Sequence, residues 1–98
     1  MVIGNIVKAG KLESHPYSQC YWKDCGVKNQ LTFVSYNSSI FSVVETDDGL
    51  TFYPRTTSPG YSKTTARQTL WALYELGYSY NEAHNIISVL KSKHIVKA

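Results

Sequence analysis

The sequence predicts an α+β domain: a three- or four-stranded antiparallel meander followed by a C-terminal pair of short helices packed on one face. Three observations lead there. The runs Leu31–Tyr36, Ile40–Glu45 and Leu50–Tyr53 are strand-like and follow one another across turn residues. The later segments Thr65–Leu76 and Ser79–Lys91 carry apolar residues at helical spacing. The length of 98 residues, 43% of them hydrophobic, suits one domain with one core, spanning 1–98.

Val2–Val7 is apolar enough to add a short fourth strand. From Gly10 to Gln30 the pattern is broken by Gly10, Pro16 and Gly26, yet Tyr17, Tyr21 and Trp22 make the stretch too aromatic for a free linker. An ordered loop is expected there, with a short strand near Ser18–Trp22. In Leu31–Tyr36, Leu31 and Phe33 share one face, and Val34 and Tyr36 the other. Asn37-Ser38-Ser39 supplies turn chemistry. Ile40–Glu45 follows, then the hairpin signal Asp47-Asp48-Gly49. Leu50–Tyr53 ends at Pro54 and presents Leu50 and Phe52 to the helices.

The first helix opens on Thr65-x-x-Gln68, the spacing of a capping box. Ala66, Leu70, Leu73 and Leu76 make its apolar stripe. Gly77 stands where a left-handed residue closes a helix. Ser79-x-x-Glu82 is a second capping box, with Tyr78 and Ala83 placed as a hydrophobic staple. Ala83, Ile86, Ile87 and Leu90 form the second stripe, and Lys91, Lys93 and His94 put positive charge at the negative end of the dipole. The expected core is Phe33, Val43 or Val44, Phe52, Leu70, Leu73, Ile86, Ile87 and Leu90.

Such a helix pair has three readings: a hairpin that completes the core, a docking surface, or a nucleic-acid reader. The last is disfavoured by the early positions of the second helix. Tyr80, Asn81, Glu82, His84 and Asn85 bring no Arg or Lys, whereas major-groove readers present both to guanine and phosphate.

The net charge is +3, too mild to imply a polyanion by itself. Its distribution is uneven. Gly49–Tyr74 holds Arg55, Lys63 and Arg67 without an acid, while Glu45, Asp47 and Asp48 cluster. No segment approaches the ~18–20 apolar residues of a membrane span, and the N-terminus lacks the pattern of a signal peptide, so a cytoplasmic protein is expected. Cys20 and Cys25 are expected to be ordinary partly buried thiols, with neither metal nor cofactor. The histidines at 15, 84 and 94 are far apart and sit beside no nucleophile motif. No catalytic residues are assigned, and the chain is not expected to be an enzyme.

The segment Arg55–Thr65 is rich in hydroxyls and glycine, carries two cations and ends at a helix N-terminus, which favours anions. It lacks the Walker A spacing. Arg55, Tyr61, Ser62, Lys63 and Arg67 are the candidate partner-binding residues. The bland alternative is a loop whose hydroxyls cap the helix and its own turns.

Two resemblances add to this. Leu76-Gly77-Tyr78-Ser79-x-x-Glu82-Ala83 resembles the start of ubiquitin-associated-type three-helix modules, over about a dozen residues and without their third helix. Ser35-Tyr36-Asn37-Ser38-x-Ile40, Thr46-Asp47-Asp48-Gly49-Leu50-x-Phe52-Tyr53-Pro54 and Tyr61-Ser62-Lys63-Thr64-Thr65 together resemble a module of small bacteriophage and mobile-element proteins. The match covers about a third of the chain. It departs at Gln68, near which that module has a His. The resemblance implies a mobile-element origin. With the small size and eight tyrosines, it leads to the expectation of a phage-type accessory protein, as anti-CRISPR proteins are. Such a protein binds and modulates, by inhibition, a host protein or nucleoprotein complex in the host cytoplasm. The alternative is a small nucleic-acid-binding protein using the basic loop and the C-terminal lysines.

Overall fold

The computed structural model describes residues 7–55 and 61–98. The elements are β1 (Gly10–Lys11), β2 (Cys20–Lys23), β3 (Gln30–Ser35), β4 (Ser38–Thr46), β5 (Gly49–Pro54), α1 (Lys63–Glu75), α2 (Tyr80–Lys91) and β6 (Val96–Lys97). The strands form one sheet in the order β1-β2-β3-β4-β5-β6, each antiparallel to its neighbour. The α+β meander with two C-terminal helices on one face is therefore as expected. Four longer strands make its body. The two-residue strands at the edges are additions, too short to leave a periodic signal. Short edges also expose few unpaired backbone groups. Of the expected strand Val2–Val7, residues 2–6 lie outside the described residues; Val7 is buried in the core without strand geometry.

The β3–β4 connection departs from the expectation. Tyr36 and Asn37 both have positive φ, 49° and 70°, so they are the turn, and Ser38 and Ser39 already belong to β4. Two successive left-handed residues match the twist of the flanking strands. The second departure is a bulge. Phe33 pairs with Phe41 but Val34 pairs with Ser39, which leaves Ile40 as the extra residue of β4. Ile40 and Phe41 consequently both enter the core, where strict alternation would have separated them.

The α1 cap also differs. Its N-cap is Ser62, whose Oγ accepts the Thr65 backbone N–H at 3.1 Å. Gln68 does not cap: it is buried, and its Oε1 accepts the Ser35 hydroxyl of β3. A hydrogen bond to the sheet satisfies a buried amide that the helix interior could not. The end of α1 is as expected. Gly77 has φ 99°, Tyr78 N–H reaches Leu73 O at 3.2 Å and Gly77 N–H reaches Tyr74 O at 3.0 Å, a Schellman motif. The Ser79–Glu82 capping box opens α2.

The core lies between the helices and one sheet face. Trp22, Phe33, Phe41 and Phe52 run across β2, β3, β4 and β5 with adjacent ring centroids 5.3–5.6 Å apart, and Tyr78 continues the line to the helices, 5.8 Å from Phe52. Of the expected core, Phe33, Val43, Phe52, Leu73, Ile86, Ile87 and Leu90 are buried, while Leu70 packs at the margin. Trp22, Phe41, Leu12 and Cys20 join them. The Cα radius of gyration is 12.1 Å. Among the described residues no helix is long and apolar enough to cross a membrane.

Leu73 is fully buried between α1 and the sheet. Leu73→Ala is expected to lower unfolding free energy by ~2–5 kcal/mol in a denaturant titration, from lost transfer energy plus a cavity.

Candidate functional site

Directly paired residues of antiparallel strands share a face, so the register specifies what stands on the side away from the helices. One row runs Lys23, Thr32, Ser42, Tyr53. The next is Gln30, Val44, Thr51, Lys97. On the other flank are Lys11, Tyr21, Val34 and Ser39. Arg55 follows β5 with the parity of Tyr53, and its Nε donates to Ser42 Oγ at 3.0 Å. Tyr21 and Tyr53 are half-buried, whereas Lys23, Arg55 and Lys97 are exposed.

These positions hold cations, hydroxyls and two aromatic rings but no carboxylate. The seven acids of the chain stand elsewhere. Asp47 and Asp48 make the β4–β5 turn, and Asp24 caps the Gly26 N–H. Glu82 caps α2, and its bonds from Ser79 hold its carboxyl below the ordinary range. Glu13 and Glu75 face each other at the end of α1. Glu45 takes the helix side of β4, opposite Leu50.

The face has a built centre. Thr32 and Ser42 Oγ atoms lie 2.9 Å apart, and the Cys25 thiol donates to Thr32 Oγ1 at 3.7 Å. A chain of polar groups thus runs from the Arg55 guanidinium through Ser42 and Thr32 to Cys25. It forms the floor of a shallow depression of about 200 Å³ lined also by Lys23, Gln30 and Ser39. Ser42 and Thr32 are only 1% and 5% exposed.

The residues singled out in the sequence fall on two surfaces. Arg55 belongs to the open sheet face. Ser62 caps α1, and Lys63 and Arg67 are exposed one turn apart. The buried positions Gln68, Thr69, Ala72 and Leu73 define the inner side of α1, which leaves Lys63 and Arg67 on its outer side, away from the sheet. Tyr61 packs against the core, with Lys91 Nζ 5.8 Å from its ring centroid. Among the described residues its buried hydroxyl has no partner, and burial pushes its pKa up to about 12. Residues 56–60 of the loop lie outside the described residues. The apolar stripes of the helix pair are spent on the core, as in a core hairpin.

Lys23, Thr32, Ser42, Tyr21 and Tyr53 were not singled out. The available signal was parity. Once Phe33 and Phe52 are placed inward, Thr32, Thr51 and Tyr53 must point the other way.

A second polar cluster lies beneath α1. Cys20 is fully buried, its thiol is pushed up by burial, and Ser18 Oγ, 3.0 Å away, offsets only part of that. Cys25 is exposed, and both cysteines are free. His15 stacks on Trp71 with centroids 3.6 Å apart. Burial first, then the Glu13 charge, hold the Glu75 carboxyl above the ordinary carboxylate range. Hydrogen bonding to the Glu13 backbone and the Trp22 indole opposes this only in part, the indole contact falling short of good geometry. Among the described residues no three His, Cys, Asp or Glu side chains gather as a metal site.

Two outcomes follow from these buried groups. A protonated Glu75 favours the fold below its ordinary value of 4.5, and that contribution is lost as pH rises through the raised folded value. Glu75→Gln, neutral throughout, should therefore melt above the wild type near neutral pH, with the gap closing below about pH 4 in thermal scans. Tyr61→Phe removes an unpaired buried hydroxyl, so unfolding free energy should stay constant or rise by up to ~1 kcal/mol. A loss of that size would reveal a hydrogen bond to Tyr61.

Comparison of the chain with models of known protein families, with curated proteins and with solved structures yields no match.

Proposed function

We propose that the chain is a small accessory protein that binds a host protein or nucleoprotein complex in the host cytoplasm and inhibits it, as proteins directed at CRISPR or other defence effectors do. The observation that carries this reading is the sheet face left open by both helices, with Tyr21, Tyr53, Lys23, Arg55 and Lys97 on it and no carboxylate. Tyrosine gives large contact area at small entropic cost and keeps a polar tip. A face of one charge sign steers an anionic partner and disfavours cationic ones. The likeness of Ser35–Pro54 and Tyr61–Thr65 to phage and mobile-element proteins supports the same assignment.

The same face favours one other reading, a protein that binds nucleic acid alone. A tagged chain used to capture partners from a bacterial lysate, with and without nuclease, separates the two. The accessory role predicts that a discrete protein complex is captured and survives nuclease. Lys23→Glu with Arg55→Glu should abolish capture, and Lys63→Glu with Arg67→Glu, on the outer side of α1, should not. Loss of all capture after nuclease supports the nucleic-acid reading. Capture indifferent to Lys23 and Arg55 removes the sheet face from either.

A further inference from the structure

We infer that the depression on the open sheet face is a phosphate-binding site, and that the phosphate it takes belongs to a single-stranded nucleic acid. This rests on the docking role of the face and names the component of the partner complex that the face would touch.

The donor balance of the depression specifies the charge of its occupant. Ser42 Oγ accepts from Arg55 Nε, and Thr32 Oγ1 accepts from the Cys25 thiol. The two hydroxyls share one bond between them. Two hydroxyl protons and one mutual bond leave one proton unspent in the bonds among the described residues, whichever oxygen donates. Arg55 and Lys23 add cationic donors at the rim and can accept nothing. Gln30 and Ser39 of the lining bring acceptors as well as donors, so it is the two cations that make donors exceed acceptors, and the lining holds no carboxylate. The complementary occupant is an acceptor with negative charge.

Its shape narrows the class. The volume of about 200 Å³ exceeds one water's share of about 30 Å³ several times over, enough for a tetrahedral oxyanion. Lys23 reaches in from β2, the hydroxyls form the floor, and Arg55 stands on the β5 side. Donors from three directions suit the oxygens of a phosphate better than a planar carboxylate. Arginine and lysine both serve phosphate in this way, one as a fixed fork and the other as a point charge.

The surroundings favour a polymer over a free anion. Tyr53 ends the row that contains Thr32 and Ser42, and Tyr21 stands in the neighbouring row. Lys97 extends the positive line through the row on the other side. Neighbouring rows are ~7 Å apart along the strands, which is comparable to the stretch between phosphates in an extended single strand. Half-exposed rings flanking a cationic track are the arrangement by which sheets hold unpaired bases.

The test uses the full chain and two probes, inorganic phosphate and a fluorescent single-stranded oligothymidine. Phosphate should shift the backbone amide resonances of Thr32 and Ser42, and chloride at equal ionic strength should not. The oligonucleotide should bind more tightly than phosphate, with affinity falling as salt rises. Lys23→Ala and Arg55→Ala should each weaken it about tenfold or more, as loss of a charge-assisted hydrogen bond does. Each should also flatten the slope of log K against log salt by about 0.7. Tyr53→Ala should weaken the oligonucleotide but not phosphate, and Lys63→Ala should change neither. Lys23 and Arg55 are exposed, and unchanged melting of their variants shows that folding is intact. No phosphate-dependent shift at Thr32 and Ser42 overturns the site. A shift with phosphate but no tighter binding of the oligonucleotide overturns the nucleic-acid assignment. If capture from lysate depends on Lys23 and Arg55 while oligonucleotide does not bind, the face docks protein, and this inference falls while the accessory role stands. If oligonucleotide binds and no complex is captured, the site stands and the accessory role falls.

Discussion

The structure depends on keeping one aromatic line on one side of the sheet. Trp22, Phe33, Phe41 and Phe52 come from four successive strands and touch edge to face or offset, the arrangements that aromatic pairs prefer. A one-residue slip in any pairing would turn that strand's ring to solvent. The pairing is therefore strongly specified, and the bulge at Ile40 is part of the specification. It lets β4 be one residue longer than its partner there while Phe41 stays opposite Phe33. The hairpin of left-handed Tyr36 and Asn37 then closes the β3–β4 ladder at Ser35 and Ser38.

The helices are tied to this line at two points, and the ties explain their tight connection. Tyr78 is the C″ residue of the Schellman motif and also the ring that meets Phe52. The residue that ends α1 thus seats the turn on the sheet, and Ser79 starts α2 immediately afterwards. In the first half of α1, Ser35 offers its hydroxyl to Gln68. That bond holds α1 over the end of β3, with its apolar side inward. Lys63 and Arg67 then have only the outer side of the helix available, while the sheet carries Arg55 on its far face. The separation of the three cations follows from the same packing that makes the core.

Local patterns were legible in the sequence, and long-range pairings were not. The strands β3, β4 and β5, the Gly77 stop and the Ser79–Glu82 box all rest on residues within a few positions of each other. Apart from the Tyr36–Asn37 turn and the Ser62 cap, which are local, the misread features needed a distant partner. Gln68 fits a capping box until Ser35, far off in the chain, claims its amide. The short strand β6 is set by its pairing with β5, with Ala98 and Leu50 exchanging backbone bonds at 2.8 and 3.1 Å beside it. The short strand expected near Ser18–Trp22 is β2, but that Trp22 turns into the core is decided by its pairing with β3. The open face was half legible. Parity placed its hydroxyls, but joining Lys23, Ser42 and Arg55 required the order of four strands. Arg55, Lys63 and Arg67 are near in sequence and suggest one site, yet Arg55 stands on the sheet face and Lys63 and Arg67 on the outer side of α1.

Charge segregation is the consequence of these constraints with the most bearing on function. A sheet covered by helices on one face needs its inner residues apolar. Although Thr32, Val34, Ser42 and Thr51 are themselves buried on the other face, the outer rows are released from that demand. They could have mixed both signs, as solvated faces usually do. Instead the acids stand elsewhere: Asp24, Asp47 and Asp48 at turns, Glu82 at a helix cap, Glu13 and Glu75 at the end of α1, and Glu45 on the helix side of β4. Placing cations together without acids brings mutual repulsion, modest at physiological salt because exposed charges are screened over about 8 Å. The repulsion is relieved when an anion sits between them. Arg55 is tied through Nε to a buried hydroxyl, which restrains it more than an unbonded surface arginine. A fixed guanidinium facing a second cation across a floor of hydroxyls loses less freedom on binding than a mobile pair, and that preorganisation is what distinguishes this patch from ordinary surface charge.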